Sequence, residues 1–160
     1  MHKTRNDLPL KTRTKMVELL NARLADSIDL ISHAKAAHWN CKGPSFIALH
    51  ELFDKVYDHA SEASDELAER CVQLGGVARG TARVVAKSSS LKEYPADLVL
   101  DLDHAAAVAD RLAAFGKLLR DAIDEADKSG DADTADLLTQ LSRANDKMLW
   151  FVEAHVQPKR

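Results

Sequence analysis

From Phe46 to Leu74 an apolar residue returns at every third or fourth position: Phe46, Leu49, Phe53, Val56, Ala60, Ala63, Leu67, Cys71 and Leu74. That step tracks the helical repeat, so the run predicts one long helix with a single apolar face. A stripe of this kind has to be buried against other helices, and three more stripes supply them. Val17, Leu20, Leu24, Ile28, Ile31 and Ala34 mark a first helix, and His38 continues the same line. Leu102, Ala105, Ala109, Leu112, Gly116, Leu119, Ile123 and Ala126 mark a third. Leu137, Leu141, Ala144, Met148 and Phe151 mark a fourth, over 132–156.

The breaks between stripes set the topology. Gly43-Pro44 closes the first helix and opens the second, proline being suited to a first helical turn. Gly75-Gly76 ends the second, and "DKSGD" separates the third from the fourth, with Asp131 as N-cap. Residues 77–96 lack the long period and form a crossover with room for one short helix. Two helical hairpins joined by one long crossover make an all-α, ferritin-like four-helix bundle. The expected division is a short basic arm at 1–10, the bundle at 11–157 and a tail at 158–160. Composition fits a bundle: 46% hydrophobic with only 5% aromatic gives an Ala, Leu, Val and Ile core, and 6 Gly and 4 Pro leave few places to turn.

A net charge of −3 opposes wholesale coating of nucleic acid. The basic stretch "MHKTRNDLPLKTRTK" is the exception. Cys41 and Cys71 form neither a CxxC nor a Cys-rich framework, and neither a signal peptide nor a membrane span is evident. A soluble, cytoplasmic chain with free thiols is expected.

The polar residues of the second helix carry the chemistry. At about 100° per residue, with His50 at zero, Asp54 falls near 40°, Asp65 near 60° and Glu69 near 100°, while the apolar stripe centres near −100°. The ligand-type residues therefore face away from their own core. An intrabundle di-iron centre needs inward Glu-x-x-His pairs, and the sequence contains none. An outward acidic face is ordinarily solvated surface. Here it includes a histidine four residues from an aspartate, and its other members are Ile47, Ser61, Ala68 and Val72, which let another helix approach.

His50 and Glu69 are separated by about 28 Å of helix, too far to share a metal within one chain. The pair His50 and Glu69 and the pair Asp54 and Asp65 nevertheless share a midpoint, between His59 and Ala60. A two-fold axis crossing there pairs His50 with a partner's Glu69 and Asp54 with a partner's Asp65, creating two identical sites. His38, just before the Gly-Pro turn, can join them. Two imidazoles with three carboxylates suit iron and are too poor in sulfur for structural zinc.

"HWNCKGPSFIALHELFD" followed by "DELAERCVQLGG" resembles the signature of the Dps family, the ferritin-like miniature cages named as DNA-binding proteins from starved cells. The resemblance runs from "TRNDL" through "YPADL" to "LWFVEAHV", and the pattern His-x11-His-x3-Asp-x10-Asp-x3-Glu is complete. It implies a homo-dodecamer built from two-fold dimers, with ferroxidase sites at the two-fold interfaces. His38, His50 and Asp54 would come from one subunit, Asp65 and Glu69 from its neighbour, holding two irons per site. The activity implied is oxidation of ferrous iron, preferentially by hydrogen peroxide, with the ferric mineral kept inside and oxidative damage limited. Trp39 resembles the family's aromatic beside the site, an electron donor or radical trap. Asp131 and Asp136, within "DEADKSGDADTAD", are the expected iron-entry pore residues.

A second reading makes the protein a nucleoid-associated, DNA-compacting structural protein with incidental metal binding. The short arm and the negative net charge oppose it. A third is a dimeric metal-binding module without a cage.

Overall fold

The computed structural model describes residues 1–157. Four long helices, α1 (Leu10–Asn40), α2 (Phe46–Gln73), α4 (Asp101–Lys128) and α5 (Ala132–Val156), are accompanied by the short α3 (Ala82–Ser88) in the crossover. The expected all-α bundle is thus present, and among the described residues no helix is long and apolar enough to cross a membrane. α1 packs on α2 and α4 on α5 as two hairpins, α1 also meets α4 and α2 meets α5, and α3 lies on α1.

The core runs the length of the bundle through Met16, Leu20, Leu30, Leu49, Phe53, Leu67, Phe115, Leu119 and Leu138, all with no exposed surface. Two large members of the expected stripes are exposed. Phe46 and Leu102 are 41% and 44% exposed, each in the first turn of its helix. On α1, Leu30 rather than Ile31 takes the innermost position, and Ile31 packs on the shoulder of the core. Two polar groups drawn into the bundle find partners there: Arg23 Nε donates to Asp26 at 2.8 Å, and the Ser27 hydroxyl donates to the Ala60 carbonyl at 2.7 Å.

The helix ends are tied to one another. The Asp131 side chain accepts from the Thr134 N–H at 3.0 Å, as an N-cap should. The α1–α2 turn pairs with the end of the crossover: the Lys42 N–H donates to the Val99 carbonyl at 3.1 Å, and the Asp101 N–H to the Lys42 carbonyl at 2.9 Å. Residues before Leu10 fold back on their own protomer. The His2 N–H donates to the Gly75 carbonyl at 2.6 Å, while Arg13 donates to the carbonyls of Leu8 at 3.0 Å and Leu74 at 3.1 Å. The guanidinium thus meets the carbonyl end of α2, where the helix dipole favours a cation. The tail at 158–160 lies outside the described residues.

Candidate metal centre

α1 carries His38 in its last turn and α2 carries His50 in its second, so the short Gly43-Pro44 turn brings the two imidazoles together. The rings stack with centroids 3.6 Å apart and planes 22° from parallel. Each Nδ1 lies against the other residue's backbone: His38 Nδ1 is 2.9 Å from the His50 carbonyl, and His50 Nδ1 is 2.8 Å from the His38 carbonyl. A carbonyl can only accept, so both Nδ1 atoms carry the proton. In the neutral imidazole this fixes the tautomer that leaves Nε2 as the nitrogen able to bind a metal.

Asp54, one turn beyond His50, completes this half. Its Oδ1 stands 3.2 Å from His38 Nδ1 and accepts from the Lys35 ammonium at 2.6 Å. That Lys35 hydrogen bond, with the nearby His38, holds the carboxyl below the usual carboxylate range despite some desolvation. Lys35 also lies over the Tyr57 ring, 4.6 Å from its centroid. Lys35 is absent from the sequence expectation. Its signal was its place three residues before His38, on the same side of α1.

The other expected ligands stand elsewhere on α2. Asp65 and Glu69 are exposed on the outward side, and Glu69 borders a groove of 450 Å³ with Ala68, Val72, Gln73 and Ala78. Among the described residues, no group of three or more His, Cys, Asp or Glu side chains within one protomer is arranged to hold a metal ion. The protomer therefore brings together His38, His50 and Asp54 and leaves Asp65 and Glu69 apart from them. Trp39, beside His38, is 71% exposed.

The two expected pore residues differ. Asp136 is exposed, but Asp131 is 1% exposed, and its carboxylate takes the Thr134 N–H, the Thr134 hydroxyl at 2.6 Å and Arg70 Nη2 at 2.8 Å. Asp131 caps α5 and anchors it to α2, so its charge is turned into its own protomer. Sequence position alone placed it among surface acids; the arginine that claims it lies 61 residues away.

A ferritin-like domain matches residues 17–159. The chain is 47% identical, over 99% of its length and 98% of the relative's, to a DNA protection during starvation protein of Agrobacterium fabrum. Among solved structures, DpsA14 from Streptomyces coelicolor superposes with a TM-score of 0.92 at 32% identity, covering 97% of this chain and 92% of that one. A Dps protein from Vibrio cholerae O1, described as a member of a broad superfamily of ferritin-like diiron-carboxylate proteins, gives 0.89 at 25% identity, covering 98% of both.

Proposed function

The chain belongs to the Dps family of ferritin-like proteins, and from that premise we propose that it oxidises ferrous iron at intersubunit sites and stores the product inside a cage. Iron binding, ferroxidase activity and protection against oxidative damage follow from the family at the general level. The finer reading concerns where and with what oxidant. The observation that carries it is the reciprocal clamp of His38 and His50, which occupies both Nδ1 atoms and leaves the Nε2 atoms as the donors, with Asp54 3.2 Å from His38 Nδ1. One more carboxylate pair is needed to hold two irons, and Asp65 and Glu69 stand on the same outward face at the two-fold related positions.

In this reading two ferrous ions are the substrate. The imidazoles keep affinity for the ferrous state, and the carboxylates favour the harder ferric product. Two electrons from the iron pair reduce one hydrogen peroxide to two waters, with two protons consumed. Both reactants of hydroxyl-radical chemistry are removed together. In this reading Trp39, next to His38 in the chain, donates an electron where only one iron is oxidised. Iron reaches the cavity past acids at the start of α5, and of the two expected pore residues Asp136 is the one that faces solvent. The assembly is a dodecamer of two-fold dimers.

The test is anaerobic loading with ferrous iron followed by sub-stoichiometric peroxide, read as ferric absorbance and as iron co-eluting with protein. The expected result is rapid oxidation near two irons per peroxide, with the iron retained. Asp65→Ala should lose both. Oxidation no faster than in buffer would overturn the reading and move the DNA-compacting alternative forward. Against that alternative, the His2 N–H and the Arg13 guanidinium tie the N-terminal stretch to the α2 end of its own protomer.

A further inference from the structure

The geometry points to Asp101 as a positioning residue for the metal site, a role no sequence motif marked. Asp101 is the first residue of α4 and is 3% exposed, yet it makes no ion pair among the described residues. Both oxygens are spent on backbone: Oδ2 accepts from the Ser45 N–H at 2.7 Å, and Oδ1 from the Leu102 N–H at 2.9 Å. Ser45 is the N-cap residue of α2 and its own side chain makes no capping bond. The carboxylate that serves the α2 N-terminus is therefore supplied by another helix, and its charge also suits the α2 dipole.

Gly43 carries the second half of the argument. A Cβ there would lie 2.4 Å from the Asp101 carboxyl carbon, and the residue's φ of +152° disfavours any side chain. The turn thus closes directly onto the buried carboxylate, beside the Lys42–Val99 and Asp101–Lys42 backbone bonds. His38 precedes this turn and His50 follows it. Their clamp requires each Nδ1 to reach the other's carbonyl, so the separation of the two chain segments fixes both rings. Asp101 bolts that turn to α4 without touching iron, and it acts on the site through the two histidines. The inference rests on the reading that His38, His50 and Asp54 bind metal.

The experiment is Co²⁺ titration of the intact assembly, following the d–d absorption, with assembly mass and helical content checked by light scattering and circular dichroism. Asp101→Asn keeps the volume but turns an NH2 group toward one of the two N–H donors. It should weaken Co²⁺ binding about tenfold and alter the absorption band, while mass and helicity stay those of the wild type. Asp103→Asn removes the same charge from the exposed side of the same helical turn and should change neither. Unchanged affinity and spectrum in Asp101→Asn would overturn the proposal. Should that variant fail to assemble, Gly43→Ala presses on the same contact from the turn, and unchanged Co²⁺ binding there overturns it equally. If His50→Ala binds Co²⁺ as the wild type does, the metal site itself is misassigned and Asp101 has nothing to position. If His50→Ala loses binding and Asp101→Asn does not, only the role of Asp101 falls.

Discussion

His33, His59 and His104 are buried imidazoles outside the candidate metal centre, and they set how the fold responds to acid. His104 Nε2 donates to the Leu98 carbonyl at 3.1 Å, so its Nδ1 is the acceptor for the Tyr94 hydroxyl at 2.7 Å. A proton added to Nδ1 would face that hydroxyl. Burial lowers the pKa of His104, and it does the same for His59 and for His33, the last against the opposing pull of Asp29. Each group therefore binds its proton more readily unfolded, at the ordinary value of 6.5, than folded. Stability rises with pH wherever the unfolded chain holds more protons. The melting temperature should accordingly be flat above neutrality and fall as the pH drops through 6.5 toward the depressed folded values. Scanning calorimetry across that range checks it. His104→Asn should give a lower melting temperature with a shallower acid slope, and an unchanged slope would remove His104 from the account.

At the scale of elements, the junction of α2 with α5 depends on one buried pair. Arg70 donates to Asp131 at 2.8 Å and to the Thr134 hydroxyl at 2.9 Å, with side chains 11% and 1% exposed for Arg70 and Asp131. Asp131→Ala removes the α5 cap and leaves a guanidinium buried without its carboxylate, a loss of about 3–5 kcal/mol. Asp136→Asn, on the exposed side, should fall within about 0.5 kcal/mol of wild type. Chemical denaturation of both variants reads the difference directly. The long helices were legible because burial repeats with the helical period; the short helix in the crossover, with Val85 as its one buried residue, has no such repeat and was legible only as a segment with room for a short helix. The Asp131 assignment as a cap was equally legible, since the cap is local. Its partner was not: Arg70 belongs to another helix, and nothing in the spacing of the α5 acids indicates which of them an arginine will draw inward.

At the scale of the whole molecule, the outward face of α2 offers more than ligands. Ile47 and Val72 are 63% and 57% exposed, and they too are related by the midpoint between His59 and Ala60. An antiparallel partner on the proposed axis sets its Ile47 against the groove formed by Ala68, Val72 and Ala78, beside Glu69. Apolar anchors near the axis would then fix the register that brings Asp65 and Glu69 to the partner's histidines. Ile47→Asp should shift the mass by light scattering toward the 17.6 kDa protomer and abolish peroxide-driven iron oxidation, with helicity retained. An assembly of wild-type mass that still oxidises iron at the wild-type rate would reject this interface.

What the sequence determined by itself was periodic or local: four long helices, their turns, an α5 cap, and an outward line of ligand-type residues whose spacing is symmetric about one point. Helical geometry is regular enough that a face can be counted out residue by residue. What only the tertiary structure decided was which groups meet across helices. The stacked imidazoles fix each other's tautomer through backbone carbonyls, Lys35 neutralises Asp54, Asp101 closes the Gly43 turn, and Arg70 claims Asp131. These contacts join residues from different elements at hydrogen-bond distance, and their partners are selected by packing rather than by any period along the chain.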